Sequence, residues 1–230
     1  MKEKGKLKLG AWTFVPATAL LVLMFVAILY GAGRTDYWQG WLFFGLTVAA
    51  YAGNFLAVRG NPALISERLN PGKGIVWWDK LYQGASALLF FAAIVVSVLD
   101  AGRYGWAPVP TWLVLFGGLV YIIGYAIFLW AKHVNNYFSS FVRIQKDRGQ
   151  TVCEEGPYQI VRHPGYVGGM MYAAAMPLVL GSFWGLVPAF LCVVLLVGRT
   201  YLEDEMLKKE LPGYAKYARS VRYRLAPGIW

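Results

Sequence analysis

Apolar residues in this chain fall in long, nearly unbroken runs separated by short polar stretches, without the two-residue alternation of half-buried strands. The runs cover roughly 12–31, 38–58, 81–99 and 111–131, each close to the ~20 residues a helix needs to cross a hydrocarbon core of about 30 Å. A further apolar stretch, 166–201, would reach about 54 Å as one helix at ~1.5 Å per residue, too long for a bilayer. It is expected to fold back near Gly181, Ser182 and Gly185. The pattern predicts an all-α, polytopic integral membrane protein of about six transmembrane helices, the fifth and sixth forming a hairpin. The first run, from Trp12, follows Lys2, Lys4, Lys6 and Lys8 as a signal peptide would. Its apolar part exceeds the ~7–15 residues usual for one, so it reads as a retained span.

Composition agrees with a membrane chain. Of the 230 residues, 15% are charged and 58% hydrophobic, with a mean hydropathy of +0.46, against roughly 25% charged in soluble domains. The net charge of +10 is explained by position: twenty Lys and Arg lie at the ends and in the two long loops that six spans place on one side. Only Arg34 and Arg103 fall on the other. This asymmetry predicts that both termini and the long loops are cytoplasmic, and it calls for membrane lipid as a partner, with no nucleic acid or protein partner. Cys153, Cys192, His133 and His163 are the whole complement of cysteine and histidine, too few for a disulfide framework or a cysteine- or histidine-rich metal centre. The segment 61–80, with Trp77 and Trp78 beside charges and a Pro71–Gly72 break, suits a connector at the lipid interface or a lid over a substrate entrance.

Candidate chemistry concentrates at 135–166 and at the end of the sixth span. Gly156-Pro157-Tyr158 precedes Arg162-His163-Pro164-Gly165-Tyr166, then Gly168-Gly169. Pro164 biases His163 away from helical geometry and suits a first helical turn, so a helix is predicted to begin there. Its first amides and positive end would favour a carboxylate or phosphate. A basic boundary turn with glycines for close helix packing explains the same residues. Arg199 and Glu203 stand four apart, followed by Glu205; an (i, i+4) ion pair is often only structural, but ionisable groups at a span's end are costly unless paired, snorkelling or functional. The hairpin brings these two regions together. A ligand with a cationic centre and a carboxylate would fit between Glu203, a tyrosine face and His163. S-adenosylmethionine has both features, and no G-x-G-x-x-G offers a Rossmann site.

The motif Gly156-Pro157-Tyr158…Arg162-His163-Pro164-x-Tyr166-x-Gly168 with Arg199-x-x-x-Glu203-x-Glu205 resembles the isoprenylcysteine carboxyl methyltransferase family and the wider phospholipid methyltransferase group. The likeness covers roughly 136–227. It implies a single integral-membrane domain, 1–230, with four spans and an interfacial loop in 1–131 and a cofactor-binding core in 132–230. The resemblance further implies S-adenosylmethionine as cofactor and a lipidic or small-molecule methyl acceptor (carboxylate, thiol or amine) reaching the site from the bilayer. Family cofactor contacts fall on Gln145, Gln150, Thr151, Val152 and Cys153, on Tyr158, His163, Pro164, Gly165 and Tyr166, and on Glu203. Gln150 stands where the family commonly has histidine. The family's acceptor-positioning arginine falls on Arg199. Arg162 is expected to orient its loop through Glu154 or Glu155, or to meet lipid headgroups, and His133 to be structural. Any contact of Cys153 is expected through its backbone, and the basic, aromatic segment 214–224 is expected to lie at the interface and cap the cofactor. Sterol reductases share a similar Arg-His-Pro-x-Tyr pattern, which keeps an NADPH-dependent membrane reductase open, as is a non-enzymatic membrane protein.

Overall fold

The computed structural model describes residues 15–230, whose regular secondary structure is helical apart from one isolated β-bridge. The helices are α1 (Val15–Ala32), α2 (Trp38–Val58), α3 (Pro62–Leu69), α4 (Trp77–Ser97), α5 (Thr111–Val134), α6 (Pro164–Val179), α7 (Leu186–Glu210) and α8 (Tyr214–Ser220). Four are long and apolar enough to cross a membrane: α2, α4 with its extension, α5 and α7. The other two predicted spans, α1 and α6, are shorter. Lys2, Lys4, Lys6, Lys8 and the start of the first span at Trp12 lie outside the described residues.

The 166–201 run breaks where its glycines predict. Helix α6 ends at Val179, Gly181 takes φ +77°, and α7 starts after Gly185. The third span differs from its apolar run. It begins four residues early, at Trp77, and continues past α4 as a π-helix, Val98–Tyr104. Charged and aromatic residues hide the start of this helix from hydropathy. The π-segment carries Asp100, fully buried, whose carboxylate accepts from Ser182 Oγ (2.6 Å) and Ala107 N (3.0 Å). Tyr37 Oη donates to the Leu180 carbonyl, and Arg34 reaches Ala101 O at 3.4 Å. One end of the bundle is thus tied off around the α6–α7 turn, and it holds Arg34 and the π-segment with Arg103. The loops 59–76 and 135–163 and the end of α7 meet at the opposite end.

Helices α5 and α6 pack closely because both present glycine. A Cβ on Gly168 would collide with the Gly124 carbonyl and approach Phe128 N to 2.6 Å; one on Gly124 would meet Met171 Cβ at 2.6 Å. Gly169 has no such role, since its Cβ would make ordinary contact with Leu196 at 3.4 Å. Gly168→Ala is therefore expected to push the two helices apart and cost about 1–3 kcal/mol, the usual range for overpacking. Gly169→Ala should be nearly neutral. Thermal unfolding of both variants in detergent checks the contrast.

Candidate active site

The loop after α5 is shaped by its own side chains. Asn135 ends the helix, accepts from Tyr137 N (2.9 Å) and donates to Tyr158 Oη (3.0 Å). Gln145, almost wholly buried, donates to Tyr137 O (2.7 Å) and accepts from Arg148. Its backbone N–H donates to Gln150 Oε1 at 2.7 Å. The loop's outer side is held by Arg143, which donates to both oxygens of buried Glu67 on α3 (2.9 and 2.7 Å) and to Asp147 (2.7 Å). Burial pushes the Glu67 carboxyl up, but the Arg143 bonds prevail and hold it below its ordinary value. The segment 61–80 is accordingly a connector clamped to this loop through Glu67 and Asp79, and α3 stays outside the cavity described next.

A cavity opens between this loop, the start of α6, the end of α7 and α8. Ten of the sequence-expected cofactor residues line it: Gln145, Gln150, Thr151, Val152 and Cys153 from the loop, Tyr158 and His163 before α6, Gly165 and Tyr166 in its first turn, and Glu203 on α7. Pro164 is buried behind the wall, where it starts α6. The free amides expected there reduce to one. Pro164 has no N–H, Tyr166 and Val167 donate to His163 O (3.0 and 3.2 Å), and the Gly165 N–H has no partner among the described residues. A side chain at 165 would strike Phe138 at 2.6 Å. Tyr166 Oη donates to Glu203 Oε2, and the His163 and Tyr166 rings stack with centroids 5.5 Å apart. Burial pushes the Cys153 thiol up, and its Sγ donates weakly to Val134 O at 3.7 Å, so no thiolate nucleophile is prepared there.

The residue that organises this site was not among the candidates. Asp204, wholly buried between Glu203 and Glu205, accepts from Arg162 Nε (2.8 Å) and Nη2 (3.1 Å), Tyr214 Oη (2.9 Å), Arg224 Nε (2.8 Å) and Lys208 Nζ (2.9 Å), with His163 Nε2 at 3.4 Å. Arg162 also donates to the carbonyls of Ala218, Val221 and Arg222 at 3.0–3.2 Å. The expectation that Arg162 acts through Glu154 or Glu155, or on headgroups, is overturned: its partner lies 42 residues on, because the hairpin sets α7 against the loop. The tail is likewise more than an interfacial cap. Arg162 N and His163 N donate to Tyr223 O and Arg224 O (2.9 and 3.0 Å), and Tyr214 and Tyr217 line the cavity. Burial and the Asp204 carboxylate push the Tyr214 phenol far up, keeping it a donor. An acid run of three at a span's end, whose middle member alone is wholly buried, was the available signal.

Arg199 stands apart from the cavity lining. The expected (i, i+4) ion pair with Glu203 does not form. Arg199 Nε donates to Asp79 Oδ1 on α4 (2.8 Å) and Nη2 to Ser140 O (2.9 Å), while its guanidinium lies 4.7 Å from the Tyr82 ring centroid and 5.1 Å from that of Tyr166. Asp79, wholly buried, also accepts from Val142 N at 2.8 Å. Arg199 Nη1 has no hydrogen bond among the described residues. A second cleft, of about 290 Å³, lies between α4, α6 and α7 at membrane depth, lined by Tyr82, Ser86, Phe90, Tyr172, Cys192 and Leu196. Tyr82 belongs both to this cleft and to the Arg199 stack, and Tyr166 divides Arg199 from Glu203. No group of three His, Cys, Asp or Glu side chains among the described residues is placed to hold a metal.

The model of the phospholipid methyltransferase family matches residues 112–212. That stretch holds α5, the loop, α6 and α7, hence every expected cofactor residue and Asp204. It excludes Asp79, Tyr82 and the two cavity tyrosines of α8. Comparison with curated proteins finds no match.

Proposed function

From the match of residues 112–212 to the phospholipid methyltransferase family model we propose that the protein is an integral-membrane methyltransferase that uses S-adenosylmethionine and methylates a lipidic acceptor. The observation that supports it most is one cavity offering an unpaired N–H at Gly165, the carboxylate of Glu203 and apolar walls from Val152, Leu207 and Leu211. These groups fit the carboxylate, the polar or cationic portion and the adenine of that cofactor. When bound, it supplies a methyl group on a sulfonium, whose in-line transfer needs positioning and a dry site. Glu203, held by Tyr166, keeps one oxygen for the ligand, and Asp204 fixes Arg162 and His163 so that α6 keeps its orientation. Arg199, aimed by Asp79, has Nη1 left to hold an acceptor anion arriving through the membrane-level cleft. No general base is needed where the acceptor is a carboxylate. The whole domain is read as 1–230, with its core in 132–230, and the charge asymmetry supports placing the cavity on the cytoplasmic side.

Calorimetry with purified protein in detergent tests the reading: S-adenosylhomocysteine should bind and NADPH should not, and the reverse would make the chain a reductase. Glu203→Gln keeps the side chain's shape while removing its charge. It is expected to weaken S-adenosylhomocysteine binding by about 1.5–3 kcal/mol, the range for a hydrogen bond to a charged group. Unchanged affinity in a folded variant would make Glu203 a structural partner of Tyr166.

A further inference from the structure

The membrane-level cleft carries, next to Arg199, a polar side chain with no part in the cofactor cavity. Gln83, on α4 one turn after Asp79, lines the cleft beside Tyr82, and its Nε2 donates to the Ser140 carbonyl at 2.5 Å. The same carbonyl accepts from Arg199 Nη2 at 2.9 Å, so the amide of Gln83 and the guanidinium of Arg199 grip one oxygen. The strap that bears it is fixed to α4: Val142 N donates to Asp79 Oδ2 (2.8 Å), and Val76 N to Val142 O (3.3 Å). On the other side of the strap, Ser139 and Phe141 line the cofactor cavity.

A carbonyl oxygen only accepts, so the bond to Ser140 fixes the amide's orientation, with nitrogen toward the strap and Oε1 away from it. Gln83 Oε1 makes no hydrogen bond among the described residues. At membrane depth, an acceptor without a donor is costly. Arg199 Nη1 is the complementary group, a charged donor without an acceptor. With Arg199 read as the holder of the acceptor's anion, on which this inference rests, we propose that Gln83 determines acceptor specificity: the cleft takes an anionic lipid with a hydrogen-bond donor, an amide N–H or a hydroxyl, beside its anion. The anion meets Arg199 Nη1 and the donor meets Gln83 Oε1. A lipid anion lacking that donor leaves Oε1 unpaired, and sites built to pair a polar group discriminate against ligands that lack it.

Two probes isolate this contact: N-dodecanoylglycine and N-dodecanoyl-N-methylglycine share chain, carbonyl and carboxylate, but only the first has an N–H. Calorimetry on the full chain in uncharged detergent, with S-adenosylhomocysteine present, should show the native protein binding the first about tenfold more tightly, the scale of one hydrogen bond left unmade. Gln83→Met keeps the side chain's length and removes its amide, and should bind the two probes about equally. A purely structural Gln83 would lower both affinities together and keep the preference. Equal affinities or no binding in the native chain, or a preference that survives in Gln83→Met, would overturn the proposal, and the native comparison needs no variant to do so. S-adenosylhomocysteine binding by the same preparation is read separately. Cofactor heat without lipid preference overturns the role of Gln83 alone, whereas lipid preference without cofactor heat overturns the methyltransferase reading alone.

Discussion

Replacing Asp204 by asparagine is expected to be the most damaging single change in the chain, costing about 3–5 kcal/mol, the range for breaking a buried ion pair from one side. The carboxylate is wholly buried and shared by Arg162, Arg224, Lys208 and Tyr214. An amide would leave three cations facing a neutral group and turn one oxygen into a donor aimed at donors. Since Arg162 and His163 carry the loop into α6, and Tyr214 and Arg224 carry the tail, S-adenosylhomocysteine binding should fall with stability. Glu205→Gln is the contrast. Glu205 pairs with Lys208 (2.8 Å) and Arg224 (3.1 Å) but is 35% exposed, and such pairs contribute about 0–1 kcal/mol. Chemical denaturation in detergent with calorimetry on the same preparations measures both. An Asp204→Asn variant as stable as Glu205→Gln would show that the buried hub does not hold the site together.

Arg199→Lys should leave S-adenosylhomocysteine affinity nearly intact and lower methyl transfer by one or more orders of magnitude, the scale of lost positioning. The guanidinium meets Asp79 and the Ser140 carbonyl with two different nitrogens and is flanked by two tyrosine rings. A lysine ammonium is a single point charge on a flexible stem and cannot hold those partners while presenting a further planar donor to an acceptor. Asp79→Asn should reproduce part of the loss, because an amide oxygen still accepts from Val142 N but no longer anchors the charge of Arg199. Single-turnover transfer beside cofactor calorimetry separates the outcomes. Parallel loss of binding and transfer in Arg199→Lys would place Arg199 in the cofactor site or the scaffold.

Local signals along the chain carried far. Apolar run lengths located the spans because crossing a hydrocarbon core imposes a length that composition alone reports. Gly181 marked the hairpin, and Pro164 the start of α6, because a positive φ and a missing N–H are properties of single residues. The stretch 145–166 was legible through its resemblance to a family motif, and its turns are in part built from its own side chains, such as Gln145 with Gln150.

Partners across helices were not legible. Helical spacing places Arg199 and Glu203 on one face, yet it contains nothing that makes Asp79, 120 residues earlier, the better partner. Nor does it show that Asp204 is wholly buried between two acids that are not, or that α5 supplies the glycine opposite Gly168. The sequence by itself determined that this chain is a helical membrane protein, where it folds back and which stretch holds the candidate chemistry. Tertiary structure alone decided which charges neutralise one another and which, like Lys132 and Arg68, form no ion pair among the described residues, since ion pairing depends on distances between elements whose register is set by packing.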